Sequence, residues 1–354
     1  FQAKTGVGEA GFTASDQEMF SNFLSRQLPE NHFLILTCSS AADKRKKIFK
    51  KKKYDQKQIY IDFLKQYTPD ISALKIAIDC SNGMGALLIK DLLGNEPIYL
   101  YDELDGTFPN HDANPLKAEN IVDLQELVKK EKADIGIIFD GDADRVMFID
   151  ENSRFISPDL MIAVLADYYK DEKGKFLQDI RTSKAVSEYI GDRFEMHMWR
   201  VGRAFAAAKL REIDGVFGGE LAGHYYFRDF YYSDSGILAT LIFLNVIAEN
   251  KKNGISVSEM ISKIEAYENS GEINFQIEQK KEAMEAVKNH FMNKEAKPIA
   301  FFDFDGYRIE YEDWWFNIRP SNTEPYLRML AEAKSKDLLD KKLKEITTII
   351  KRFN

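Results

Sequence analysis

The clearest hydrophobic pattern begins at Leu74. Leu74-Lys75-Ile76-Ala77-Ile78-Asp79 is an apolar run of strand length, and Ser81-Asn82-Gly83-Met84-Gly85 reads as a tight turn into a helix. A strand over 97–101, a helix over 121–132 and the strand Asp134-Ile135-Gly136-Ile137-Ile138-Phe139 complete the unit. Strands alternating with helices of about a dozen residues predict βαβ units and a mainly parallel sheet. After a hairpin-like turn at 150–153 the alternation resumes. It predicts a helix over 158–170, a strand ahead of Arg181, a helix over 182–190, a strand over 196–201 and a helix over 204–212. A strand over 216–220 then runs into a glycine-bounded loop, and a long apolar helix covers 236–249. This is the pattern of a second copy of the preceding α/β domain, with no sequence identity to mark the repeat.

Past Glu272 the character changes to a strand, a helix over 281–293, three short strands between 299 and 318 and a closing helix over 336–351. That order predicts a small α+β domain. The fold class is therefore tandem mixed α/β domains with βαβ units plus a smaller C-terminal α+β domain. Domain limits are expected at 1–70, 71–155, 156–269 and 270–354. Residues 1–70 are the least orderly. A glycine-rich start leads to Thr13-Ala14-Ser15-Asp16, a helix over 17–27, a strand over 32–37, a nearly all-basic run over 44–53 and an amphipathic helix over 58–67. The basic run reads as a solvated loop, with an anion-attracting patch as the alternative.

The candidate chemistry centres on Asp140-Gly141-Asp142-Ala143-Asp144-Arg145, between two apolar runs. Carboxylates at alternate positions of a tight loop can turn toward one point, where they repel unless a cation lies between them. All-oxygen ligation suits Mg²⁺ or Ca²⁺. An EF-hand is excluded, because Arg145 stands where that loop needs its sharp-turn glycine and strands flank the motif. A phosphatase with Asp140 as nucleophile is the other reading these residues leave open. A second constellation, Arg319-Pro320-Ser321-Asn322-Thr323-Glu324-Pro325-Tyr326-Leu327-Arg328, gathers two arginines, two hydroxyls and an amide between prolines. Such a donor surface can hold a phosphate dianion.

Composition narrows the setting. The 354 residues carry a formal charge of -8 and 44% hydrophobic side chains, which suits two to four domains with ample core and argues against nucleic acid as the main partner. No apolar run approaches the roughly 20 residues of a membrane span, and no signal peptide is visible. Two cysteines, Cys38 and Cys80, are too few for a disulfide framework, so the expected setting is the cytoplasm. The chain begins at Phe1, so a fragment or a processed form is expected.

The acidic loop, Gly219-Glu220-Leu221-Ala222-Gly223-His224 and Arg319-Pro320-Ser321-Asn322-Thr323 occur in the order and rough spacing of the α-D-phosphohexomutases. The chain resembles in particular the bacterial phosphomannomutase/phosphoglucomutase branch. Asp105-Gly106-Thr107-Phe108-Pro109-Asn110-His111, with Asn114-Pro115 after it, is similar too. The resemblance covers about 71–354, the last three of the family's four domains, and displaces the phosphatase reading. It implies transfer of a phosphoryl group between O1 and O6 of a hexose through a bisphosphorylated sugar. Asp140, Asp142 and Asp144 would hold Mg²⁺ and Arg145 would orient the transferring phosphate. Glu220 and His224 would bind sugar hydroxyls, and Arg319, Ser321, Asn322, Thr323 and Arg328 would grip the other phosphate. The expected partner is a small phosphosugar with glucose 1,6-bisphosphate as activator, and the expected state is a monomer.

Departures from the family pattern bear on activity. The family's first domain carries a phosphorylated serine in Thr-(Ala/Gly)-Ser-His-Asn-Pro. Here residues 1–70 would be a remnant of that domain, with Ser15 in Thr13-Ala14-Ser15 as the favoured candidate and Ser39 as the second. Neither has the His-Asn-Pro continuation. Arg203 stands where the family has a histidine, Ala207 where a lysine usually follows, and Ala222 replaces the serine of the sugar loop. Arg181 falls where a basic substrate-contacting residue is expected, and Arg203 is counted with the substrate-binding residues. Two readings follow: a Mg²⁺-dependent mannose/glucose phosphohexomutase, either active or in a truncated and impaired version, or a non-catalytic sugar-phosphate-binding protein.

Overall fold

The computed structural model describes residues 55–353 apart from 295–296 and 322–324. Helix α1 (Gln56–Leu64) leads to β1 (Ile76–Asp79), α2 (Ile89–Leu93), β2 (Ile98–Leu100), α3 (Val122–Glu131), β3 (Ile135–Phe139), β4 (Val146–Asp150) and β5 (Phe155–Ile156). The strands form one sheet in the order β2-β1-β3-β4-β5. β1 lies parallel to β2 and β3, while β4 and β5 return antiparallel. β1, β3 and β4 are buried at every position. Their continuous apolar runs are therefore those of strands covered on both faces. The helix expected after Ser81 begins instead as a short 3₁₀ turn, Met84–Leu87, before α2.

The second unit repeats this plan. It contains α4 (Leu160–Tyr168), β6 (Lys175–Asp179), α5 (Lys184–Ile190), β7 (Glu195–Trp199), α6 (Arg203–Ile213), β8 (Phe217–Gly219), β9 (Tyr225–Phe227), β10 (Ser233–Asp234), α7 (Gly236–Lys252) and α8 (Val257–Ser262). Its sheet runs β10-β9-β8-β6-β7. The first strand again lies between the second and third, parallel to both, and the fourth and fifth return antiparallel. Three-residue β9 and two-residue β10 are too short for a hydrophobic period to show, and the sequence reading missed them.

Helix α7 joins the two sheets. It starts on the Ser235 N-cap, whose hydroxyl accepts from the Leu238 N–H, and is apolar almost all round, as a helix enclosed by protein must be. Phe243 meets Phe148 of β4 edge-on at 5.1 Å and Tyr225 of β9 at 5.0 Å, so one ring anchors both units. Helix α1 also lies against the second unit. Tyr60 and Phe63 stack on Phe230 at 5.7 and 5.6 Å, and Asn245 of α7 donates to the Tyr67 carbonyl at 2.8 Å.

The last unit is an antiparallel sheet of β11 (Glu268–Asn269), β12 (Ile273–Gln276), β13 (Ala300–Phe302), β14 (Tyr307–Glu310), β15 (Trp314–Pro320) and β16 (Tyr326–Ala333). The order is β11-β16-β15-β14-β13, with β12 also on β16. Helices α9 (Lys280–Lys294) and α10 (Lys336–Ile350) cover it around Phe291, Trp314 and Phe316. This unit grips the turn after β6. The fully buried Arg308 lies over Trp315 at 3.7 Å and donates to the Ile180 and Thr182 carbonyls at 2.9 and 2.6 Å. Beside it, Glu332 accepts from the Ser183 hydroxyl at 2.7 Å, the Trp315 indole at 2.8 Å and the Asn269 amide at 2.7 Å.

Burial, reinforced by Asp159, pushes the Glu332 carboxyl up to about 7. The folded chain therefore holds this proton more tightly than the unfolded chain. The corresponding stabilisation is complete below the unfolded carboxylate value of about 4.3 and is lost as pH rises through about 7. The melting temperature should fall less between pH 5 and pH 8 in Glu332→Gln than in the parent chain. Parallel curves in a thermal-melt series would contradict this assignment.

Candidate metal and anion-binding site

The acidic motif is the connection between antiparallel β3 and β4, which close on the Phe139–Val146 pair. Its backbone is fixed from several sides. The Ser81 hydroxyl donates to the Phe139 carbonyl at 2.7 Å, and the Met84 N–H to Gly141 O at 2.9 Å. The Gly236 N–H at the start of α7 donates to Ala143 O at 3.0 Å. A Cβ at Gly236 would come within 2.8 Å of the Arg145 carbonyl, so only glycine permits this approach. Ala143 sits at φ 60°, a left-handed conformation that reverses the chain between Asp142 and Asp144 and costs about 1 kcal/mol or more for a non-glycine residue.

The result brings one carboxylate oxygen each of Asp140, Asp142 and Asp144 within 4.8 Å of one another. Two like charges at that spacing repel by roughly 3–4 kcal/mol at an effective dielectric of about 20. Burial, then the neighbouring Asp144, raises the Asp140 pKa against the opposing pull of Arg145. Arg145 supplies part of the missing positive charge, with Nε donating to Asp140 at 2.7 Å. A cluster of carboxylate oxygens alone, with no sulfur or nitrogen donor, fits a hard divalent cation.

The loop between β8 and β9 occupies the equivalent place in the second sheet, and the two loops meet. Arg145 and His224 form an antiparallel bridge, and the Val146 N–H donates to Gly223 O at 3.2 Å. His224 lies with Nδ1 3.1 Å from Glu220 and Nε2 3.6 Å from Asp144 and 4.0 Å from Asp234. Burial disfavours its imidazolium, but the Glu220, Asp144 and Asp234 carboxylates outweigh burial and raise its pKa. Glu220 is itself buried, and its two oxygens accept from the Gly202 N–H at 2.7 Å and the Tyr226 hydroxyl at 3.0 Å. In this conformation Glu220 braces the 202–203 turn and His224.

A second centre lies where the last unit meets the turn after β6. Asp179 accepts from the Arg181 backbone N–H at 2.6 Å, from its guanidinium at 2.7 and 3.2 Å, and from the Leu221 N–H at 2.9 Å. Arg319 of β15 is buried and bonded to Asp305 at 3.2 Å, and its Nε has no hydrogen-bond partner among the described residues. Burial, then the like charge of Arg181, holds the Arg319 pKa below its usual value. Two guanidiniums that disfavour each other in a buried place, one with a donor to spare, suit an anion. Asp305 also accepts from the Val201 N–H at 2.8 Å, tying this centre to the turn before Arg203.

The structure thus brings together Asp140, Asp142, Asp144, Arg145, Arg203, Glu220 and His224 in one cluster, and Arg181 with Arg319 in the other. The Glu220-Leu221 segment touches both. Arg328 is paired with Glu272 at 3.1 Å, and the Ser321 N–H donates to Tyr326 O at 2.9 Å. Ser15, Ser39, Asn322 and Thr323 lie outside the described residues. Sequence reasoning missed Asp179, Asp234 and Asp305. Asp79 and Asp179 offered a signal, because each ends the first strand of its unit and accepts from the backbone N–H two residues on.

Comparison with known proteins gives the class. Residues 58–153, 157–267 and 272–349 match, in turn, phosphoglucomutase/phosphomannomutase α/β/α domain II, α/β/α domain III and the C-terminal domain. The chain belongs to the phosphoglucomutase/phosphomannomutase family, the α-D-phosphohexomutases. It is 36% identical over 286 residues to a phosphomannomutase of Methanocaldococcus jannaschii, covering 79% of this chain and 62% of that protein. It is 37% identical over 310 residues to one of Vibrio cholerae, covering 83% and 66%. It therefore spans a little under two thirds of the length of each. A solved family protein from Burkholderia thailandensis superposes with a TM-score of 0.75 at 25% identity, over 84% of this chain and 65% of that one. An N-acetylphosphoglucosamine mutase of Aspergillus fumigatus, solved with GlcNAc-6P and magnesium, shares the fold with a TM-score of 0.59 at 14% identity, over 83% of this chain and 70% of that one.

Removing Asp179 would leave Arg181 buried without its counter-charge. Asp179→Ala should lower the unfolding free energy by about 3–5 kcal/mol, measured by urea denaturation. A loss below about 1 kcal/mol would show that Arg181 does not depend on this carboxylate.

Proposed function

We propose that this chain carries the metal, sugar and phosphate-binding parts of a phosphohexomutase that interconverts hexose 1-phosphate and hexose 6-phosphate, of the mannose/glucose type. The observation that carries the reading is the meeting of the two equivalent loops. The repeated sheet topology sets the acidic loop and the Glu220–His224 loop at the same strand junction of each unit, and the Arg145–His224 bridge joins them. The buried Arg181 and Arg319 lie at the other end of the same loop system.

In the proposed reaction a sugar hydroxyl takes the phosphoryl group of a phosphoserine. The sugar O–P bond forms as the serine O–P bond breaks, and the serine recovers the hydroxyl proton. The resulting bisphosphorylated sugar turns over and returns its other phosphate to the serine. Asp140, Asp142 and Asp144 would hold Mg²⁺, which when bound neutralises charge on the transferring phosphoryl. Arg145 and His224 would approach that phosphoryl and the sugar hydroxyls, with Glu220 setting the position of His224. Arg319, with Arg181 beside it and the 321–328 turn around it, would grip the non-reacting phosphate in both orientations. Ser15 is the proposed phosphoserine and glucose 1,6-bisphosphate the proposed activator. A second reading, a sugar-phosphate-binding protein without turnover, is favoured by one observation. Arg203 stands where the family has a histidine, and its guanidinium is paired with Asp144 and Asp234.

Incubation with Mg²⁺ and glucose 1,6-bisphosphate, followed by intact-mass measurement and phosphosite mapping, tests the proposal. One added phosphate on Ser15 or Ser39 supports the mutase. No added phosphate with glucose 1-phosphate still bound supports the binding protein. Asp142→Asn should weaken Mg²⁺ binding and abolish transfer, so unchanged activity would remove the metal assignment. Arg319→Ala should weaken glucose 1-phosphate binding about tenfold or more, the scale of a lost charge-assisted hydrogen bond, with an unaltered dissociation constant as the contrary result.

A further inference from the structure

Arg203 opens α6 immediately after Gly202, whose φ of 129° turns the chain sharply at the helix start. The Gly202 N–H is held by Glu220 at 2.7 Å and the preceding Val201 N–H by Asp305 at 2.8 Å, so the turn that carries Arg203 is pinned from two sides. From there the guanidinium spans two carboxylates. Nε lies 3.0 Å from Asp234 Oδ1, and Nη1 donates to Asp144 Oδ2 at 3.2 Å. Asp234 is nearly fully buried, whereas the Arg203 side chain is 54% exposed. One partner is therefore fixed and enclosed, and the other is reached from solvent.

Asp144 is also the third carboxylate of the acidic loop, and its oxygens cannot face an arginine and a divalent cation with equal effect. A cation in the loop draws the Asp144 charge toward itself. The Arg203 contact draws the same charge toward α6. We infer that Arg203 is a built-in competitor for the metal loop, occupying Asp144 when no divalent cation is bound and yielding it when one arrives. The inference rests on the reading of Asp140, Asp142 and Asp144 as the metal ligands.

The geometry makes the exchange local. Asp234 keeps Nε of Arg203 at the helix start, so only the outer arm of the guanidinium has to leave Asp144. The Arg203 side chain is half-exposed, so water can replace the contact that this arm loses. His224 Nε2 faces the same two carboxylates, at 3.6 Å from Asp144 and 4.0 Å from Asp234. Linkage requires that whatever holds Arg203 on Asp144 lowers metal affinity by the same factor as the metal weakens the Arg203 contact. A half-exposed guanidinium facing a partly buried carboxylate across 3.2 Å, and holding it with one arm only, corresponds to a few-fold change in the metal dissociation constant.

The test is a Mn²⁺ titration of the full chain followed by electron paramagnetic resonance of free Mn²⁺, on the parent chain and on Arg203→Gln, Arg203→Lys and Lys209→Gln. Lys209 lies on the same helix and removes one positive charge away from the loop, so it reports the general electrostatic effect. The expected result is a dissociation constant three- to tenfold lower in Arg203→Gln, an intermediate value in Arg203→Lys and a value near the parent in Lys209→Gln. Equal binding by the parent and Arg203→Gln, or an equal gain in Lys209→Gln, overturns the role of Arg203 and leaves the metal site standing. No stoichiometric Mn²⁺ site in any of the four chains overturns the metal reading itself, and the competition with it.

Discussion

Crowding of carboxylates at one strand end is the constraint on which the rest of the site depends. Asp140, Asp142 and Asp144 are forced together by a backbone bonded to the turn after β1 and to the start of α7. The chain answers their repulsion with groups from both repeated units: the guanidiniums of Arg145 in the loop itself and Arg203 on α6, and the His224 imidazole of the facing loop, whose protonated form these carboxylates favour. Contacts that balance charge in this way also hold the two units together, so the electrostatics of the loop and the junction between units are one problem.

The repeat explains why the functional residues coincide. In each unit the third and fourth strands form a hairpin whose connection projects at the same end of the sheet. Placed against one shared helix, α7, the two connections meet. The first is acidic and suits a cation. The second carries a histidine braced by a buried glutamate. The antiparallel last unit adds the other charge type, by setting Arg319 beside the turn that Asp179 builds around Arg181 and by clamping that turn with Arg308 and Glu332. Gly306, at φ 73°, lets the turn before β14 lie so close to Ile318 and Arg319 that any Cβ there would overlap the β15 backbone. Asp305, one residue earlier, thereby reaches both Arg319 and Val201.

Much of this was legible along the chain because the signals are local. Buried parallel strands read as unbroken apolar runs, α7 reads as apolar on all sides, and the alternate aspartates before Arg145 announce a shared point. The partners that set the electrostatics left no such mark. Asp234 precedes a helix and looks like part of an ordinary capping segment. Glu332 sits in a strand whose sequence gives no hint of the Ser183 hydroxyl 149 positions earlier. The Glu220 motif carries no mark of the Gly202 N–H and the Tyr226 hydroxyl that its carboxylate accepts from. Long-range pairing is decided by packing, which no short motif encodes.

The most direct test of the acidic loop as a metal site is an anomalous difference map from crystals of this chain soaked in Mn²⁺. The expected result is a single strong peak about 2.1 Å from oxygens of Asp140, Asp142 and Asp144, with the Arg203 side chain withdrawn from Asp144. A map without a peak at that loop, or a peak between Asp144, His224 and Asp234 instead, would contradict it.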